Sequence, residues 1–490
     1  MATSAERPFD AQLPASKGIW TQRMVATAAG LGMFLAALDI ALNVALPSIT
    51  SDFKTDLQTV QWLIVVFVAT RAGLVMGAGS FADRFGLKPV YLFGASIYLV
   101  AMLLITFSPN LATMVGFRVV QALGTSCLYA VSPAIAARVF PVHRRGLGMG
   151  FTAASQALGA LAGTLGAGLL ILWFDWESVF LGRVPFALLA IFLAVRFMGR
   201  ENRSVSGPSF DVAGALTLAG ALLCVMIGLR LGRSEGWTSP EVLVLLILAP
   251  VLLALFWRAE GRSPWPVLPL GLLRARWFVV SWLSMFLAHL GAFVIWFIFP
   301  FYVADALGRG PFTLGVMLAA MAFFNTAFSG VGGWLCDRAG TPLPVGLAGL
   351  LVVAGGLLSM GFLDGDSGLV QVGVRISVVG LGLGLFQAAA YSLMLGGVAP
   401  NRFSTAAAAL SLAQAVGTVL AVTTVGGIFG LRKAHHLSQL AETGLALGLR
   451  EQQAFIQAFQ DVFWLGAAIA VVGAGIFLLS RRGKESREEP

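Results

Sequence analysis

Few residues in this chain can do chemistry, and the ones that can sit where charge is expensive. Of 490 residues only 11% are charged, against 58% hydrophobic. Asp39 lies inside a long apolar run, and Arg71, Arg118, Arg183 and Arg375 lie inside others. A charge at the centre of a membrane helix costs roughly 2.5–3.5 kcal/mol on insertion scales. Residues kept at that cost point to ion or substrate handling. Asp39 reads as the one acid within a span. At 1.5 Å per residue it lies roughly 12 Å below the outer face, and Arg118 roughly 10 Å. The matched depths predict an ion pair between the first and fourth spans. Such a pair is either a static brace or a carboxylate that takes a proton when the pair opens.

Other polar residues in apolar runs read either as stripes satisfied by neighbouring helices or as a cavity wall. Asn43 and Pro47 follow Asp39 at intervals of four, on one helix face. Arg71 lies roughly 16 Å deep, too far to snorkel, so it needs a wet cavity or an acceptor. With one acid among four arginines, such a cavity carries net positive charge and suits an anionic or zwitterionic substrate. Arg375 and Arg183 are shallower and read as snorkelling. His289 reads as a hydrogen-bonded histidine, and Asn325, Gln387 and Gln414 as interhelical glue or cavity lining.

These residues need membrane helices to position them. A span takes about 20 mostly apolar residues. Fourteen such runs lie between residues 24 and 480. An even count puts both termini on one side. With both inside, the cytoplasmic segments carry 21 of the 32 Lys and Arg, the outer segments 7 and the spans 4. That bias sets the orientation. The polar first twenty residues, with Pro8 and Pro14, do not read as a cleavable signal, so the first span is expected to be an uncleaved anchor.

Composition excludes other classes. The formal charge of +9 is scattered between apolar runs, which argues against nucleic acid. Cys127, Cys224 and Cys336 have no ligand spacing and read as small buried hydrophobes. No metal-ligand set and no nucleophile elbow appears, so an enzyme is not expected. No cofactor or metal is expected either. A small-molecule substrate, the lipid bilayer and protons are.

Two loops repeat 254 residues apart. "GSFADRFG" places Gly79, Asp83, Arg84 and Gly86 where "GWLCDRAG" places Gly333, Asp337, Arg338 and Gly340. The first copy continues to Lys88. This spacing resembles the signature loop of the major facilitator superfamily. "LDIALNVALP" (38–47) resembles the first-helix signature of its fourteen-helix drug:proton antiporter branch. "RVVQALG" (118–124), which carries Gln121, is similar to the family's fourth-helix stretch, with Ala122 in place of a Gly. "WESVFLGRVP" (176–185) resembles the sixth-helix entry, with Arg183 where Asn is usual. "GWTSPEV" and "LPLGLLRARWF" fit as well. Thr164 follows Gly163 where the fifth-helix signature has Gly-Pro, and the second loop has no counterpart of Lys88.

The resemblance implies an all-α membrane protein of the major facilitator fold with 14 transmembrane helices. A cytoplasmic tail (1–24) precedes a six-helix bundle (25–198). A linker with two extra helices (199–258), a second linker (259–276), a second bundle (277–480) and a tail (481–490) follow. It implies proton coupling at Asp39 and Arg118, and a cytoplasmic gate latched by Asp83 with its loop neighbours and by Asp337 and Arg338. The substrate cavity would hold Asn43, Arg71, Gln121, His289, Asn325, Gln387 and Gln414. The expected activity is proton-driven efflux of drugs or small amphipathic toxic compounds across the inner membrane. The alternative is transport of an anionic metabolite. The outer segment 430–456 is expected to be the longest external loop, a candidate contact for a periplasmic adaptor.

Overall fold

The computed structural model describes residues 19–139, 145–199, 212–234, 236, 238–262, 274–397, 403–441 and 446–480. No strand occurs among the described residues. The helices are α1 (Ile19–Ala37), α2 (Ala41–Asp52), α3 (Leu57–Val60), α4 (Trp62–Phe85), α5 (Leu87–Thr106), α6 (Leu111–Val139) and α7 (Arg145–Trp173). After them come α8 (Ser178–Leu181), α9 (Val184–Phe197), α10 (Val212–Ser234), α11 (Pro240–Glu260), α12 (Arg276–Ala292), α13 (Val294–Phe297) and α14 (Phe299–Phe301). The chain ends with α15 (Pro311–Ala339), α16 (Leu343–Met360), α17 (Leu369–Leu395), α18 (Phe403–Leu440) and α19 (Leu447–Leu478). Within the described residues, every apolar run read from the sequence is helical or lies on helices separated by a short break. Over the described residues, eleven stretches are long and apolar enough to cross a membrane, and α4 and α10 contribute shorter ones, Trp62–Val75 and Leu216–Val225.

Two breaks matter for the site. Between α1 and α2 the first span tightens into a 3₁₀ turn, Leu38–Ile40, at Asp39. A short 3₁₀ stretch within a helix commonly marks a hinge or a functional position. Gly182 and Arg183 separate α8 from α9, where Pro185 lacks the N–H that would continue the helix.

Helices α1, α4, α5, α6, α7 and α9 pack on one another, as do α12 and α15 to α19. The two groups meet where α7 lies against α15, α4 against α18 and α2 against α14. Helix α10 packs on α11, α4 and α18. Buried tyrosines tie α5 to α1: Tyr91 donates to the Ala28 carbonyl and Tyr98 to the Leu35 carbonyl at 3.2 Å. Small residues set the closest approaches. A Cβ on Gly163 of α7 would come within 3.2 Å of the Leu38 carbonyl and the Ile40 side chain. That glycine lets α7 press on the turn that carries Asp39.

One expected loop is not a loop. Within 430–456, α18 continues to Leu440 and α19 begins at Leu447, so most of the segment is the ends of two helices. They clamp together because Asp461 accepts from Arg432 Nε at 2.6 Å and lies 2.7 Å from His436 Nε2. Phe429 packs edge-on against Phe455. Asp461 also corrects the reading of Asp39 as the one acid within a span, since it lies on the apolar helix Leu447–Leu478.

Candidate functional site

The predicted ion pair is present. Arg118 on α6 donates from Nη1 to Asp39 Oδ1 at 2.5 Å and from Nη2 to Oδ2 at 3.0 Å. Arg118 is fully buried, while the Asp39 side chain keeps 14% of its exposure. A two-pronged contact of this kind exploits the planar guanidinium fork, which lysine lacks. The remaining donors are also used. Nε reaches the Leu63 carbonyl of α4 at 3.0 Å, and Nη1 also meets Gln121 Oε1 at 2.5 Å. Gln121 closes the ring by donating from Nε2 to Asp39 Oδ1 at 2.9 Å. A buried ion pair in which every nitrogen and both carboxylate oxygens have partners is the arrangement that offsets its desolvation.

The structure therefore moves Gln121 from cavity wall to charge cluster. It is fully buried and holds both partners of the pair. Its position one helical turn after Arg118 is the sequence signal for this role.

Arg183 is corrected more sharply. It does not snorkel outward but is buried, with Nη1 3.6 Å from Asp39 Oδ1. Arg71 shares an aromatic neighbour with the cluster. Its guanidinium sits 5.3 Å from the Phe67 ring and 5.8 Å from that of Tyr129, and Arg118 lies 4.1 Å from the same Phe67. Arg71 thus finds aromatic faces, and no carboxylate among the described residues pairs with it. Arg375 donates to the Ser359 carbonyl at 2.6 Å, near the end of α16.

The other proposed cavity residues are spread over both groups of helices. Asn43 is buried, donates to the Ile40 carbonyl at 3.1 Å and leaves Oδ1 without a partner. His289 Nδ1 lies 3.0 Å from the Met285 carbonyl within α12, and Gln414 Nε2 reaches Met285 Sδ from α18 at 3.6 Å, so both meet the same residue. Asn325 on α15 and Gln387 on α17 are half-buried.

The repeated loops agree in backbone and differ in contacts. Gly86, the single residue between α4 and α5, has φ 95°, and Gly340, which caps α15, has φ 63°. Both conformations favour glycine. Gly79 and Gly333 face open space, so neither is needed for close approach. The side chains of Asp83 and Arg84 lie outside the described residues. Lys88 donates from Nζ to the carbonyls of Val195 at 3.2 Å and Met198 at 2.5 Å, which caps the end of α9 as a cation should. Asp337 and Arg338 are exposed, with Arg338 over Trp334 at 5.4 Å. Among the described residues the second loop makes no such cap.

At the end of the molecule that carries Trp176, α7 and α15 touch through backbone. A Cβ on Gly315 would lie 2.6 Å from the Thr164 carbonyl, and one on Gly168 2.9 Å from the Pro311 carbonyl. Thr164, standing where the branch has proline, returns its hydroxyl to the Ala160 and Leu161 carbonyls, and α7 runs unbroken. Beside this contact lies an open cleft of about 660 Å³, lined by Pro47, Ser48, Asp52 and Trp176 from one group and Asp305 and Arg309 from the other.

Comparison with known proteins places this arrangement. The sequence profile described as Major Facilitator Superfamily matches residues 29–422. The riboflavin transporter RibZ of Clostridioides difficile is 24% identical over 444 residues, 90% of this chain and 94% of that one. The tetracenomycin C resistance and export protein of Streptomyces glaucescens is 26% identical over 498 residues, 94% of this chain and 92% of that one. The crystal structure of the POT family transporter PepTSo superposes with a TM-score of 0.69 at 14% identity, covering 96% of this chain and 99% of that one.

Proposed function

Because the chain belongs to the Major Facilitator Superfamily, and is thus a multi-pass membrane transporter of a small molecule, we propose that it exports amphipathic toxic compounds across the inner membrane in exchange for protons. The observation that carries this reading is the buried Asp39–Arg118–Gln121 cluster, closed on one side by a 3₁₀ turn. A carboxylate at that depth is costly and is paired in the resting arrangement. When a proton neutralises it, the Coulomb attraction that holds Arg118 is lost, and α6 and the first span are free to shift. The kinship with an export protein supports the outward direction.

In this reading fourteen spans form two six-helix bundles, 25–198 and 277–480, with two helices between them. Both termini and the Gly86 and Gly340 turns face the cytoplasm, so the Trp176 end faces outward. The bundles rock about a substrate held between them, and Asp83 latches the inner side. Counterflow of a compound panel in proteoliposomes, with and without a pH gradient, tests the proposal. Gradient-dependent movement of at least one amphipathic compound is expected. Transport of every compound at the same rate without the gradient would overturn proton coupling.

A second reading, transport of an anionic or zwitterionic metabolite, is favoured by one observation. Arg71 is a permanent cation with aromatic faces but no carboxylate partner among the described residues. The relative named for riboflavin transport is consistent with it. Arg71→Gln is then expected to cut transport of anionic compounds by about tenfold or more, the worth of one charge-assisted contact of roughly 1.5–3 kcal/mol, and to spare lipophilic cations. Equal losses for both classes on one purified variant would reject the reading.

A further inference from the structure

Asp39 has a second guanidinium neighbour that the paired-charge reading leaves idle. Arg183 caps the start of α9, its side chain only 3% exposed, with Nη1 3.6 Å from Asp39 Oδ1. Its Nε is spent on the Val179 carbonyl at 3.1 Å, and its plane lies over the Phe180 ring at 5.1 Å. Nη1 and Nη2, both buried, make no well-formed hydrogen bond. The contrast with Arg118 is complete, because every nitrogen of Arg118 has an acceptor. Buried donors without acceptors are costly, and an ionised donor more so.

The groups around Asp39 are few. Arg118 and Gln121 face it from α6, the more distant Arg71 adds positive charge from α4, and the Tyr98 hydroxyl of α5 lies beside both Asp39 and Arg183. Helix α7, which presses Gly163 on the turn, carries no ionisable residue after Arg145. Two guanidinium groups therefore lie within 4 Å of one carboxylate, Arg118 bound to it on two prongs and Arg183 standing beside it with Nη1 at 3.6 Å.

We infer that Arg183 is a standby counter-ion for Asp39, a positioning residue that receives the carboxylate when Arg118 lets go and whose charge sets the pH at which Asp39 takes up a proton. The proton comes from water, neutralises the carboxylate and leaves both guanidinium groups charged. Handing the carboxylate from one arginine to the other keeps it paired on the return leg, when the proton has left and Arg118 has yet to re-engage. An exchange of this kind avoids the cost of an uncompensated buried charge. The inference rests on the proton-coupled reading of Asp39 above.

The test needs no substrate. Full-length protein in liposomes is titrated by infrared difference spectroscopy, reading the protonated-carboxyl band that Asp39→Asn removes. Arg183→Asn introduces the residue usual at this place in the resembling branch, so the fold should accept it. Removing a cation at this range is expected to move the midpoint of the Asp39 band to higher pH by about one to three units. Arg183→Lys, which keeps the charge, should restore a midpoint near that of the native protein. A midpoint unchanged in Arg183→Asn would overturn the inference and leave Arg183 a packing residue. An equal shift in both variants would overturn it too, since charge would not be the cause. Absence of any titrating Asp39 band in the native protein is a different failure, of proton coupling at Asp39, and the inference falls with it.

Discussion

Asp39→Asn is expected to reduce gradient-driven transport to the level of empty liposomes while leaving exchange without a gradient measurable. Asn has nearly the same shape and its Oδ1 can still accept from Arg118 Nη1 and Gln121, although its Nδ2 cannot replace the oxygen that accepts from Nη2. What it cannot do is exchange a proton. It also leaves the charges of Arg118 and Arg183, both buried around this position, without their anion. Breaking a buried pair by removing one partner costs about 3–5 kcal/mol, so the variant should also unfold more readily. Measuring both gradient-driven uptake and counterflow on the same purified variant separates the two effects. Loss of both activities together with a dispersed, aggregated protein would mean that Asp39 is a structural brace. Wild-type accumulation would remove it from the coupling mechanism altogether.

Much of this site is legible in the amino-acid sequence, because depth along a helix is simple arithmetic. Asp39 and Arg118 are 79 residues apart in sequence yet within one helical turn in depth, and they pair. Lys88 is legible only as a positively charged residue on a loop. That it caps the carbonyls of Val195 and Met198 depends on how α5 and α9 cross, which no local pattern encodes. Arg183 escapes the arithmetic for a physical reason. The depth estimate assumes a straight helix with a side chain free to reach outward, whereas the Gly182–Arg183 break and Pro185 turn that side chain inward. The helix ends in 430–456 are hidden by the same assumption, that a helix stops where its apolar run does. There the ends of α18 and α19 are tied together by Arg432, His436 and Asp461, which satisfy one another. Ion pairs between residues 25 or more positions apart leave no trace in periodicity.

The second large effect is expected where the two groups of helices touch. If the transporter rocks, the α7–α15 contact at the Trp176 end must form and break in every cycle, and its closed form requires glycine. A Cβ on Gly315 would lie 2.6 Å from the Thr164 carbonyl and 3.3 Å from the Gly168 Cα, both backbone atoms that cannot swing aside. Gly315→Val must therefore part the helices. Overpacking of this kind costs about 1–3 kcal/mol, and a bias of that size shifts a two-state balance by roughly 5- to 150-fold. The shift should favour opening at the Trp176 end, slow transport by a similar factor and raise the reactivity of Ser48→Cys, on the wall of the adjoining cleft, toward a membrane-impermeant maleimide. The native Cys127, Cys224 and Cys336 are buried and free, so they contribute little background. Gly330→Val on the same helix is the control, because a Cβ there meets nothing within 4 Å. It carries the same β-branched side chain without the wedge and should leave both measurements near those of the native protein. If Gly315→Val transported normally and left Ser48→Cys labelling unchanged, the α7–α15 contact would be a fixed seam, and the moving surface would have to lie elsewhere between the two groups.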